Sequence, residues 1–192
     1  MTQPPLVLGI DLGTSGVRIA VLGMDGVLHH TQASNYHGSF CDPESWREAC
    51  RELVQAIPNR LQSRLRALAV DGTSGTLLAC DSHGLPLGEA LPYSLACPEV
   101  APLLQELVGT GNLAQSSSSS LARALRLLAR YGNEILLRHQ ADWISGWLLN
   151  DCRWGEEGNN LRLGWDLITN SSPPRFAEQP WRPALPEIRP SG

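Results

Sequence analysis

Asp11 stands at the end of a short apolar run, Leu6 to Ile10, and is followed by Gly13-Thr14-Ser15-Gly16. An acid ahead of a hydroxyl-bearing glycine turn combines three capabilities. Glycine lets the backbone turn tightly and approach a ligand with no Cβ in the way. The N–H groups of such a turn, with the Thr14 and Ser15 hydroxyls, form a concavity suited to phosphate oxygens. Asp11 can hold Mg²⁺ through water, because Mg²⁺ gives up its hydration shell reluctantly. On these residues alone a plain hairpin turn reads the same way. A second turn of this kind, Asp71-Gly72-Thr73-Ser74-Gly75, also follows an apolar run. Its hydroxyls and carboxylate can each satisfy a polar ligand group that has lost its water. The alternative is a second tight turn joining two strands.

Other polar and aromatic residues read as structural. His29 and His30 are adjacent on an extended segment and so point to opposite faces, which predicts solvated histidines rather than a metal pair. Trp143 and Trp147 lie four apart at helical spacing, a core face first and a sugar-stacking pair second. Asp142 beside them lines a site or sits at the surface, and His139 has no evident partner.

Composition narrows the chemistry. All 15 cationic residues of the 192 are arginine. No step needing a lysine of this chain is available, which removes the Walker A phosphate loop and Schiff-base catalysis. A net charge of −4, with no arginine stripe, argues against nucleic acid or an anionic membrane as partner. Cys41, Cys50, Cys80, Cys97 and Cys152 are widely spaced and form no Cys-x-x-Cys pair, so they read as small hydrophobes of a reducing compartment. The start is not basic, its apolar run is broken at Asp11, and no stretch reaches membrane-spanning length; a cytoplasmic protein is expected.

The elements that must position these residues follow from pattern. Leu6 to Gly13, Val17 to Gly23 (closed by the Met24-Asp25-Gly26 turn) and, with a weaker pattern, Val27 to Gly38 read as three strands joined by tight turns, an antiparallel meander. Asp42 caps a helix with Pro43 in its first turn; Trp46, Ala49, Cys50 and Leu53 mark its buried face, and Pro58 stops it. Ala67 to Gly72 and Thr76 to Asp81 are further strands. The stretch from Leu91 to Asn112, punctuated by Pro92, Pro98 and Pro102, reads as irregular. Ser116 to Ser120 is either a low-complexity linker or a capped helix start, and Leu121, Leu125 and Leu128 favour the helix. A helix is expected from about Glu134 to Leu149, with Leu136, Gln140, Trp143, Ile144, Trp147 and Leu148 inward. Residues 171–192, rich in proline, read as tail or linker. A meander followed by a helical crossover predicts a mixed sheet flanked by helices over 1–170.

At this point the segment LGIDLGTSGVRIAVLGMDG resembles the phosphate motif of the FGGY carbohydrate kinases, members of the sugar-kinase, Hsp70 and actin superfamily. DPESWREACRELVQAI is similar to that family's first helix. HQADWISGWLLND and EEGNNLRLGWDL resemble its aromatic-rich helix and the small-residue segment after it, so the resemblance covers essentially the whole chain. It implies an RNase H-like α/β fold, here incomplete, and ATP-dependent phosphorylation of a ketose or polyol. ATP and Mg²⁺ are the implied cofactors. Asp11 would serve the metal and the phosphates, and also face the substrate, with Gly13, Thr14, Ser15, Gly16 and Arg18 around the phosphates. Xylulokinases usually show Gly-Gln-Met-His-Gly at the second turn. The Asp71-to-Gly75 version resembles a ribulokinase-like branch of cyanobacteria and plastids, which implies Ser74, with Asp71 and Thr73, at the sugar.

LPYSLACPEVAPLL stands where xylulokinases and glycerol kinases usually carry Trp-x-Asp-x-Arg, a departure that favours the ribulokinase-like branch. D-ribulose and D-xylulose are the leading substrates. The family's catalytic base, an Asp in a glycine-rich segment, and its adenosine pocket are expected beyond residue 192. Within this chain no residue matches that base, so little or no turnover is expected from it alone, and either a missing C-terminal half or a homodimer is the expected partner. Two other readings stay open: a non-catalytic sugar- or partner-binding remnant, and an ATPase of the Hsp70 or actin kind.

Overall fold

The computed structural model describes residues 3–191. The chain divides into two compact units, one ending at Thr73 and the other beginning at Ser74. The sequence expectation of one domain over 1–170 places no boundary there, because the junction is a turn with no change in composition.

The first unit is a four-stranded sheet with a helix on it. β1 (Leu6–Leu12), β2 (Gly16–Gly23) and β3 (Leu28–Asn35) form the expected antiparallel meander. α1 (Pro43–Ala56) and the single turn α2 (Asn59–Gln62) carry the chain over to β4 (Leu65–Gly72), which pairs parallel to β1. The strand order is β3-β2-β1-β4. Side chains alternate between the two faces of a strand. On β1 and β2 one face, with Leu6, Leu8, Ile10, Leu12, Val17, Ile19 and Val21, is buried together with Trp46, Ala49, Cys50 and Leu53 of α1. Asp42 caps α1 as expected, its carboxylate accepting from the Glu44 N–H, and Trp46 Nε1 donates to the Phe40 carbonyl.

The second unit has its own apolar core. β5 (Leu77–Cys80) leads through a looped stretch to α3 (Ala101–Val108) and α4 (Ser120–Tyr131). β6 (Leu136–His139) then pairs antiparallel with β5. α5 (Gln140–Leu149), β7 (Trp154–Glu156) and the short α6 (Glu157–Asn160) follow, and β8 (Glu187–Arg189) pairs parallel to β7. Leu77, Leu104, Leu121, Leu125, Leu137, Phe176 and Trp181 pack in one cluster.

Three elements differ from the sequence reading. The helix expected from Glu134 is two elements: Leu136 to His139 are a strand, and the helix begins at Gln140. Four residues, Leu136 to His139, are too few to show a decisive period, and pairing with β5 settles it. α3 lies inside the stretch read as irregular; Pro102 sits in its first turn, where the missing N–H costs nothing. Beyond residue 170 the prolines do prevent long elements, yet Phe176 and Trp181 are buried and meet edge to face at 5.1 Å. Arg138, itself buried, donates to the Ala184 carbonyl and holds this segment down. The serine run resolves as a capped helix, Ser119 Oγ accepting from the Ala122 N–H.

Candidate functional site

A row of three charged residues crosses the sheet of the first unit. Arg18 of β2 and Asp71 of β4 are the direct strand partners of Asp11 on β1. Because side chains alternate, Asp11 projects from the face opposite Leu12 and Ile10, and its partners project with it. The next row on that face is Thr31, Ala20, Gly9 and Ala69, again strand partners across all four strands. These side chains are small, so the sheet surface stays open there. The result is a cavity of about 500 Å³ with Asp11, Arg18 and Asp71 at one side and the small residues as its floor.

Arg18 Nη2 lies 2.9 Å from Asp11 Oδ2, with the two side chains 72% and 49% exposed. A pair this exposed contributes at most about 1 kcal/mol. Each partner can therefore exchange the other for a ligand at little cost. Asp71 Oδ1 accepts from the Gly72 N–H at 2.8 Å, which aims the carboxylate along the strand end.

The hairpin after β1 is held from outside. Gly13 N–H donates to the Gly16 carbonyl at 2.9 Å, the Tyr36 hydroxyl donates to the Gly13 carbonyl at 2.9 Å, and the Tyr36 N–H donates to the Ser15 carbonyl. Thr14 and Ser15 are exposed at the tip. Neither Gly13 nor Gly16 has a positive φ. Gly16 is required by close approach instead: a Cβ there would lie 2.2 Å from the Ser34 carbonyl oxygen.

Of the sequence-derived residues, Asp11, Arg18 and Asp71 share one cavity, with Gly13, Thr14, Ser15 and Gly16 in the adjoining turn. Thr73 is partly buried at the end of the first unit, and Ser74 opens the second with its residue exposed. Three contributors carry no motif signal: Thr31, whose hydroxyl donates to the Ile19 carbonyl, Tyr36, and the small-residue row itself. Only the strand register reveals them.

Magnesium takes one or two protein carboxylates and keeps several waters. A half-exposed Asp11 with a second carboxylate across the strand pair fits that demand. Among the described residues no group of three or more His, Cys, Asp or Glu is placed to hold a metal. His29 is exposed on β3, whereas His30, expected to be solvated too, is half-buried because neighbouring strand residues face opposite sides, and His139 is buried with its Nδ1 3.5 Å from Asp142 Oδ2. Asp142, in turn, accepts from the Glu156 N–H and from Asn160 Nδ2, tying α5 to β7 and α6. Trp143 is core, with its indole N–H donating to the Gly84 carbonyl, while Trp147 is partly exposed. No helix among the described residues is long and apolar enough to cross a membrane.

No protein-family model matches the chain. Solved structures do. Plasmodium falciparum glycerol kinase with ADP superposes with a TM-score of 0.78 at 16% identity, over 97% of this chain and 43% of that one. Xylulose kinase from Rhodospirillum rubrum gives 0.78 at 17% identity, over 96% and 43%. Xylulose kinase from Bifidobacterium adolescentis gives 0.75 at 16%, over 98% and 48%. The chain therefore has the RNase H-like α/β fold of the carbohydrate kinases, as expected from the sequence, and spans less than half the length of these structures.

Proposed function

We propose that this chain supplies the ketose- and phosphate-binding part of an FGGY-type carbohydrate kinase, which phosphorylates D-ribulose or D-xylulose with ATP. The observation that carries the reading is the Arg18–Asp11–Asp71 row above its small-residue floor, beside the Thr14-Ser15 tip. The fold shared with glycerol and xylulose kinases supports it.

In this reading Asp11 holds Mg²⁺, which when bound neutralises charge on the phosphates. Thr14 and Ser15, exposed at the tip, offer hydroxyls and N–H groups to phosphate oxygens. Arg18 leaves Asp11 to do the same, in a fork geometry suited to phosphate. Asp71 and, three residues further on, Ser74 take the sugar hydroxyls. Positioning of this kind is the main protein contribution to phosphoryl transfer. The base that accepts the sugar proton is assigned to no residue of the chain.

Calorimetric titration of the purified chain with each ketose tests the reading. Saturable binding is expected, weakened at least tenfold in Asp71→Ala and in Ser74→Ala. Binding of neither ketose, or binding indifferent to both substitutions, contradicts it. ATP hydrolysis that ignores the ketose would assign the chain to an ATPase instead.

A further inference from the structure

Within the second unit Arg123 of α4 is fully buried, and none of its hydrogen bonds goes to a carboxylate. Its Nε donates to the Gly75 carbonyl at 2.9 Å, and its Nη1 donates to the carbonyls of Tyr93 at 3.1 Å and Leu95 at 2.7 Å. Burial pushes the guanidinium down to about 10. Charged side chains are rarely buried without a countercharge, and an apolar side chain of similar volume is often no less stable in such a place. Packing alone therefore does not account for an arginine here.

The three carbonyls belong to two segments that the sequence singles out separately. Gly75 ends the Asp71-to-Gly75 turn, next to the exposed Ser74. Tyr93 and Leu95 lie in LPYSLACP, the stretch that departs from the xylulokinase and glycerol kinase pattern. Thr76 Oγ1 accepts from the Tyr93 N–H at 3.3 Å, and Leu77 and Leu91 exchange backbone hydrogen bonds at 3.0 and 2.7 Å, so the segments already run side by side. The turn is fixed from the other direction too. Gly75 has φ +90°, and a Cβ there would lie 2.9 Å from Arg123 Nη2 and 3.5 Å from Ser120 Oγ. Those two atoms are buried and without a protein partner. The guanidinium thus fills the space that any residue other than glycine would need.

We infer that Arg123 is a positioning residue: its guanidinium clasps the turn bearing Ser74 to the Tyr93–Leu95 segment, so that the two discriminate between pentulose epimers as one rigid wall. The inference rests on the reading of Ser74 as a sugar contact. Rigidity matters because selectivity between epimers depends on which fixed polar group is left without its hydroxyl partner, and a mobile group adapts to either.

The test uses the 192-residue chain, with Arg123→Lys as the conservative variant, Arg123→Met as the second, and Ser74→Ala beside them. Hydrogen exchange is followed peptide by peptide, and the affinities for D-ribulose and D-xylulose are measured by calorimetry. In Arg123→Lys, exchange at 74–77 and 93–95 is expected to quicken at least tenfold while β6 and α5 stay protected, and the ratio of the two affinities is expected to shrink at least fivefold. If Arg123→Lys fails to fold, the same outcome is required of Arg123→Met. Unchanged exchange at the turn in a folded Arg123 variant overturns the clasp. Quickened exchange with an unaltered ketose ratio overturns its part in selectivity. Ketose binding that Ser74→Ala leaves intact overturns the sugar reading itself, and the exchange data still judge the clasp.

Discussion

Asp11 owes its setting to the residues across the sheet from it. The acid and the glycine turn after it are legible in the sequence, as are Arg18 and Asp71 as separate candidates. Their union in one row is not, because it depends on β1 pairing parallel with β4, more than fifty residues away. The small row below, Gly9, Ala20 and Ala69, is invisible for the same reason. The sequence points to glycine for tight turning and for close approach to a ligand, whereas the structure asks for Gly16 because β3 of the same sheet passes too close for a Cβ. The obstructing atoms, of Ser34 and Asn35, are all backbone, so none can rotate away. Gly16→Ala is expected to cost about 1–3 kcal/mol, the range for overpacked sites, read from urea denaturation. A loss under 0.5 kcal/mol would show that the hairpin yields freely.

At the scale of elements, local signals and tertiary pairing each decide some outcomes. The Asp42-Pro43 start of α1 and the Ser119 cap of α4 are local chemistry, and both appear where the sequence places them. β6 is decided by its partner strand, and α3 by packing of Leu104 and Leu107 that outweighs the prolines around it. The turn from α5 to β7 carries its own titration. Asp151 accepts from the Arg153 side chain and backbone N–H and from the Trp154 indole, and these donors hold its carboxyl down to about 2, from an ordinary 3.8. The folded value lies below the unfolded one, so the stabilisation is complete above pH 3.8 and is lost as the pH falls from there towards 2. Asp151→Asn should therefore destabilise the protein most at pH 5 and least at pH 2. Denaturation curves at pH 5, 4, 3 and 2 check this, and an equal effect at every pH would contradict it.

For the molecule as a whole, the division into two units and the burial of Phe176 and Trp181 lie beyond what composition can say. A proline-rich stretch looks the same whether it hangs free or packs, since proline limits regular hydrogen bonding and not burial. The overall fold class was legible all the same, because the meander, the capped α1 and β4 repeat their pattern locally. The cysteines follow the same whole-molecule logic. Burial pushes the Cys50 and Cys80 thiols up to about 12 and raises Cys97 and Cys152 as well, while Cys41 is partly exposed. A thiolate is the reactive form. An aromatic disulfide reagent at neutral pH should modify Cys41 first in the native chain and reach Cys50 and Cys80 only on unfolding, as mass spectrometry of peptides would show. Native labelling of Cys50 or Cys80 would mean that these cores open.

The proposed function requires the Asp11 row to bring metal and sugar into one site. The direct measurement replaces Mg²⁺ by paramagnetic Mn²⁺, with ADP present, and follows the proton resonances of D-ribulose bound to the chain. Broadening that disappears in Asp11→Asn, with ketose affinity retained, is the predicted result. Broadening that persists in Asp11→Asn, or ribulose signals that stay sharp with Mn²⁺ bound to the wild-type chain, would contradict it.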